Sequence, residues 1–157
     1  MSPTLRPSTP ADLETHVAHR VAMFRDMEMG SEEGLKRMAE AFRNQLRGWL
    51  VTGQCRGLVL EDDGRVVASV LLLLKDTVPT PVTPLSVRGY LFNVYTEPSH
   101  RRRGLAARLT DAALDLARDL GIEIMELHAS IEAEGLYQRM GFEVEPGSEV
   151  YHLEKEL

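Results

Sequence analysis

The residue types with the plainest chemistry are Arg101, Arg102, Arg103, Gly104, Leu105 and Ala106, spaced as Arg-x-x-Gly-x-Ala where a strand pattern gives way to a helix pattern. A helix N-terminus already carries roughly half a positive charge, so each cation placed there costs a few tenths of a kcal/mol. An anion held by free backbone amides and by guanidinium groups reverses that sign. Gly104 lets the main chain approach a phosphate, and Ala106 keeps the next turn clear of bulk. The competing reading is a solvated arginine run. Neither G-x-x-x-x-G-K-[ST] nor G-x-G-x-x-G occurs, which excludes a P-loop and a dinucleotide fingerprint.

A second group lies in the strand pattern Ile122–Ser130, where alternation puts Glu126 on one face with Ile122, Ile124 and His128. A carboxylate beside apolar neighbours holds its proton more tightly than in water, which suits a general base acting on an ammonium. The competing readings are a solvated strand end for Glu126 and a structural histidine for His128. Cys55 is the single cysteine, so no intrachain disulfide or cysteine cluster can form, and no His or Cys stands at metal-ligand spacing from His128. No metal is expected.

Positioning these groups requires an α/β chain. Thr9-Pro10-Ala11-Asp12 starts a helix to about Met29 that buries Val17, Val21 and Phe24, and Ser31 caps a second one. The second carries an apolar stripe of Leu35, Met38, Phe42, Leu46 and Trp49 or Leu50. Strands follow at Arg56–Leu60 and Arg65–Leu74, joined by Asp62-Asp63-Gly64, and a third at Arg88–Thr96 after the proline-rich loop 78–85. A helix runs from Pro98 to about Leu120, with Gly121 as its cap. The strand Ile122–Ser130, a short helix Glu132–Met140 and a closing hairpin Phe142–Leu153 complete the chain. The expected fold is one mixed α/β domain over residues 1–157: two N-terminal helices, antiparallel strands, then a β–α–β crossover.

A net charge of −6 disfavours nucleic-acid binding, since the positive charge is gathered at Arg101, Arg102, Arg103 and Arg108 and not spread over a surface. Met1–Pro10 holds three prolines and no apolar run, unlike a signal peptide, and Val66–Leu74 is too short to span a bilayer. A cytoplasmic protein without membrane or nucleic-acid partners is therefore expected. The segment Val150–Leu153 offers a strand edge able to pair with a second copy, giving a homodimer.

Three blocks together resemble the GNAT superfamily of N-acetyltransferases, whose hallmark is [QR]-x-x-G-x-[GA] between the fourth strand and the following helix. They are Leu91-Phe92-Asn93-Val94-Tyr95-Thr96-Glu97-Pro98, then Arg101–Ala106, then Leu136-Tyr137-Gln138-Arg139-Met140-Gly141-Phe142, which is similar to the family's L-Y-x-x-x-G-F. The resemblance implies acetyl-coenzyme A as donor, with the amides of Arg102, Arg103, Gly104, Leu105, Ala106 and Ala107 on the pyrophosphate. Main-chain groups of Val94, Tyr95 and Thr96 would pair with the pantetheine arm, and Arg101–Arg103 or Arg108 would reach the adenosine phosphates. It further implies that Glu126 is the base and that Tyr137 protonates the departing thiolate. The acceptor it implies is a primary amine of a small molecule or peptide, which would be walled by His16–Trp49, including Arg25–Met29, and by Thr77–Ser86. One departure stands out: Ile131 follows Ser130 where several relatives carry an asparagine that touches the pantetheine, so that contact is absent or replaced. The alternative function is a non-catalytic acyl-coenzyme A-binding sensor or interaction domain on the same fold.

Overall fold

The computed structural model describes residues 2–81, 84, 87–144 and 152–157. A seven-stranded sheet carries the chain, built from β1 (Thr4–Pro7), β2 (Cys55–Asp62), β3 (Arg65–Asp76), β4 (Val87–Thr96), β5 (Ile124–His128), β6 (Glu143–Val144) and β7 (His152–Glu156). Its spatial order is β1-β2-β3-β4-β5-β7-β6. Every neighbouring pair is antiparallel except β4 and β5, which run parallel across the helical crossover. Helices α1 (Leu13–Asp26) and α2 (Glu32–Thr52) precede β2, α3 (Leu105–Asp119) makes the crossover, and α4 (Ile131–Arg139) follows β5. This is the mixed α/β order expected from the sequence.

Local chemistry explains the boundaries. Ser31 accepts a hydrogen bond from the Gly34 amide at 3.0 Å and starts α2. Asp63 and Gly64 both have positive φ, 52° and 73°, as a two-residue hairpin of the primed type requires. Alternation along β3 and β4 sends Val70, Leu72 and Leu91 to one face, where α3 packs with Leu109, Ala113 and Ala117. Leu71 and Phe92 go to the other, against Val17, Phe42 and Leu46 of α1 and α2. The sheet is thus covered on both faces, and the parallel pair at its centre is the position where a ligand can enter from the strand ends.

Several boundaries depart from the expectation. The proline-rich N-terminus forms β1, which pairs along β2 from Thr4↔Glu61 to Pro7↔Leu58. An edge strand tolerates prolines because one side of it needs no ladder bonds. Helix α1 begins at Leu13, after a 3-10 turn at Pro10–Asp12, and ends at Asp26 before Met29. It buries His16, Val17 and His19, whereas Val21 and Phe24 are only half-buried. The crossover helix starts at Leu105, so Arg101–Gly104 form a loop ahead of it, and Ile122 lies before β5. Leu153 pairs with both Leu127 and Val144, so this part of the expected dimer edge lies inside the sheet. Residues 150 and 151 of that edge lie outside the described residues, as do 82, 83, 85 and 86 of the proline-rich loop.

Candidate active site

The site begins with a fault in β4. Leu71 pairs with Phe92 and Ser69 with Tyr95, so β4 carries one extra residue in this stretch. Asn93 absorbs it with φ of 58°, a left-handed conformation that asparagine tolerates better than most residues. Its buried side chain fixes the bulge: Nδ2 donates to the His16 carbonyl at 3.0 Å, and Oδ1 accepts from Arg20 Nη1 at 3.2 Å. The parallel ladder to β5 covers only Gly89–Leu91. From Phe92 to Thr96, the side of β4 turned towards β5 therefore has no strand partner among the described residues. The two strands splay, and a row of main-chain groups is open to an extended ligand.

The splayed end leads to the arginine loop. A cavity of about 290 Å³ is lined by Thr96, His100, Arg101, Arg102, Leu136 and the first helical turn from Gly104 to Ala107. Arg102 and Gly104 have φ of 63° and 72°. Left-handed residues in a turn aim successive amides inward, a concave anion site. At Gly104 a Cβ would meet no atom within 4 Å, so the glycine answers to its backbone angle and to the open space a ligand needs. The first α3 amide with a partner in its own helix direction is that of Arg108, bonded to the Gly104 carbonyl at 3.0 Å. Those of Leu105, Ala106 and Ala107 face the mouth of the helix without intrahelical acceptors.

The arginines divide in two. Arg101 turns away from the loop: Nη2 meets Asp26 Oδ2 at 2.8 Å, Nε donates to the Thr96 carbonyl at 2.9 Å, and the guanidinium lies 5.4 Å from the Tyr95 ring centroid. The Asp26 bond holds its pKa above the ordinary value. Arg108 Nη1 donates to the Pro3 carbonyl at 2.6 Å and is tied to the N-terminal segment. Arg102 and Arg103 are exposed and make no hydrogen bond or ion pair with the described residues, so they are the two free to reach phosphates. His100 anchors the loop to the first hairpin, its Nε2 2.7 Å from Asp62 Oδ2.

On the α1/α2 face of β5, Glu126 is buried, and its neighbours are cations where apolar side chains were expected. Lys75 of β3 reaches Oε1, and Arg88 Nη1 of β4 stands 3.7 Å from Oε2. Ile122 packs into the opposite core with Met125 and Leu127. His128 is exposed, with Nδ1 3.1 Å from the Tyr90 hydroxyl. Tyr137 of α4 is 6% exposed, packs edge-on to Phe142 at 6.0 Å, and shares a hydrogen bond with Thr110 of α3. Burial pushes its phenol up to about 12, more than the Thr110 bond brings it down. Ser130, before the departing Ile131, caps α4 by accepting from the Ala133 amide at 3.3 Å.

Of the expected acceptor wall, Arg25 pairs with Glu32 and Asp26 with Arg101, while Met27 and Met29 are exposed. Sequence reasoning missed Asn93, Arg20, Lys75 and Arg88. A signal existed only for Asn93, a poor strand former in the middle of a β-branched and aromatic run. Among the described residues no group of three or more His, Cys, Asp or Glu could hold a metal ion, and no helix is long and apolar enough to cross a membrane.

The mixed sheet thus splays beside a bulged β4 and opens on the turn that starts the crossover helix. The acetyltransferase (GNAT) family profile matches residues 21–142, and the chain belongs to that family. It is similar to a GCN5-related N-acetyltransferase from Ralstonia eutropha JMP134, at 35% identity and a TM-score of 0.85 over 92% of this chain and 95% of that one. The PaiA N-acetyltransferase of Thermoplasma acidophilum, solved with coenzyme A, shares the fold at 20% identity and a TM-score of 0.78 over the whole of both chains. Over 89 residues, 54% of this chain, it is 34% identical to the mycothiol acetyltransferase of Beutenbergia cavernae. The chain spans about a quarter of that relative, since the match covers 27% of its length.

Proposed function

We propose that the protein transfers an acetyl group from acetyl-coenzyme A to a primary amine of a small molecule or peptide, directly within a ternary complex. The observation that carries this reading is the continuity of the unpaired Phe92–Thr96 edge with the cradle at Arg102–Ala107. The first suits an extended amide-bearing arm and the second a pyrophosphate, so the residues fit the donor. Arg102 and Arg103 add charge where phosphates would lie.

Bound there, acetyl-coenzyme A supplies the thioester. Amides of β4 beyond Asn93 polarise its carbonyl. Glu126 takes the proton lost as the amine nitrogen bonds to the acetyl carbon, and Tyr137 gives a proton to sulfur as the C–S bond breaks. A phenol pushed up to about 12 stays protonated at neutral pH and is a donor in reserve. Cys55 takes no part: it is 2% exposed, and burial pushes its thiol up to about 12, leaving little thiolate.

One observation favours the alternative, a non-catalytic acyl-coenzyme A-binding domain. Lys75 and Arg88 both engage Glu126, and an oxygen held by a cation must be released before it accepts a proton. Release of free thiol from acetyl-coenzyme A across a panel of amines separates the readings. Catalysis predicts turnover that falls about 10²- to 10⁴-fold in Glu126→Gln with donor binding retained. Tight donor binding without turnover on any amine would establish the alternative. Lack of thermal stabilisation by acetyl-coenzyme A would remove both.

A further inference from the structure

We propose that Arg20 is the anchor for a carboxylate on the acceptor, so that the acceptor is a free amino acid or a similar amine bearing a nearby carboxylate. The proposal rests on the acetyl-transfer reading above and names its substrate class.

Arg20 projects from α1 onto the same sheet face as Glu126. Its guanidinium carbon lies 5.1 Å from the ring centroid of Phe24, 4.8 Å from that of Phe42 and 5.7 Å from that of Phe92. Of its five N–H donors, one is used among the described residues, by Asn93 Oδ1 at 3.2 Å. No carboxylate pairs with it among the described residues, whereas Arg6, Arg25, Arg43, Arg65, Arg88, Arg101 and Arg118 each have at least one. Aromatic faces offset part of the cost of removing a guanidinium from water, but they leave its forked donors unspent. Burial lowers its pKa from the ordinary value. Arg20 is itself half-buried, as are the Phe24, Tyr90 and Phe92 rings around it, so the cation can be approached.

Charge placement gives the acceptor its polarity. Tyr90 links Arg20 to Glu126: its ring stacks on Phe92 with centroids 5.5 Å apart, Phe92 lies beside the Arg20 guanidinium, and Tyr90 pairs with Glu126 in the β4–β5 ladder. Lys75 and Arg88 are already matched to Glu126, whereas Arg20 on the same face has no carboxylate among the described residues. A zwitterionic amine fits this pattern, with its carboxylate in the Arg20 fork and its nitrogen towards Glu126 across Tyr90.

The test uses proteinogenic L-amino acids, each matched with the amine lacking its carboxylate, on the wild-type chain, Arg20→Gln and Arg20→Lys. Wild type is expected to favour the carboxylate-bearing member. Arg20→Gln also releases one clasp on Asn93 and should slow both members, but it should lower the ratio of kcat/KM for the carboxylate-bearing member over its matched amine about 10- to 150-fold, mostly through KM. Arg20→Lys, which keeps the charge without the fork, should fall between. Thermal stabilisation by coenzyme A checks that each variant is folded. Turnover of matched amines without preference, or an equal loss on both in Arg20→Gln, overturns the proposal and leaves acetyl transfer standing. A second arm needs no turnover: an N-acetylamino acid and its primary amide are titrated onto the protein with coenzyme A. Tighter binding of the acid by wild type but not by Arg20→Gln, with no turnover of any amine, would sink acetyl transfer and keep the anion site. Equal binding of acid and amide overturns the site.

Discussion

Tyr137 and Glu126 meet opposite surroundings on neighbouring elements. Tyr137 is enclosed by the core beneath α3, with Thr110 beside its hydroxyl. Removing that hydroxyl should affect the release of the thiolate more than donor binding, so Tyr137→Phe is expected to lower kcat about 10²-fold at unchanged acetyl-coenzyme A affinity, read by steady-state kinetics and calorimetry. Glu126 is held by Lys75 and Arg88, so Lys75→Met and Arg88→Met should each change kcat/KM, while Glu126→Gln lowers it about 10²- to 10⁴-fold, read by steady-state kinetics. Alternation along a strand showed which residues share a face with Glu126 within β5. It carried no information about β3 and β4, whose Lys75 and Arg88 become its neighbours only through the register Tyr90↔Glu126 and Leu73↔Tyr90. The same blindness hid Arg20, whose meaning depends on three rings brought from α1, α2 and β4.

At the scale of the elements, the loop from Arg101 to Gly104 was legible because its constraint is local. Its arginine–glycine spacing reflects left-handed turns at Arg102 and Gly104 and the free amides of α3. Gly104→Ala places an L side chain at φ of 72°, at a cost on the order of 1–2 kcal/mol. We expect a lower melting temperature and weaker stabilisation by acetyl-coenzyme A. Arg102→Gln with Arg103→Gln should weaken donor binding in a salt-dependent way, whereas Arg101→Gln should mainly loosen the tie to Asp26. Strand β1 was not legible, because Pro3 beside it and Pro7 within it read as irregular chain and only the β2 edge makes the segment a strand. Conversely, Ser31, Asp63-Gly64 and Gly121 announced their turns, since capping and positive φ depend on few residues.

Across the whole molecule, the response to acid is dominated by buried imidazoles. His16 is fully buried, shares a 2.6 Å bond with Ser8 Oγ through Nε2, and its Nδ1 has no partner among the described residues. Burial pushes it down from 6.5 to about 4, and His19 is lowered for the same reason. A folded value below the unfolded one means that His16 adds stability above about pH 6.5, which is lost as pH falls towards 4. The loss from His16 alone is about 2 kcal/mol by pH 5, at roughly 1.4 kcal/mol per unit. Denaturant titrations between pH 7 and 5 should show this slope, and His16→Gln should flatten it. Cys55 supplies an independent check: the native thiol should react with an aromatic disulfide only at the rate of unfolding.

The bulge at Asn93 has a consequence for how this molecule can diverge. The groups it uncovers from Val94 to Thr96 are main chain, carried by every residue except for proline's missing N–H. Side chains along this stretch are thus released from recognition and can drift with the packing around them. What cannot drift is the hinge that opens the edge: Asn93, clasped by the His16 carbonyl and by Arg20. Because both clasps come from α1, the helix proposed to face the acceptor also props open the edge proposed for the donor. Selection for a new acceptor along α1 would therefore be filtered by whether the strand stays ajar.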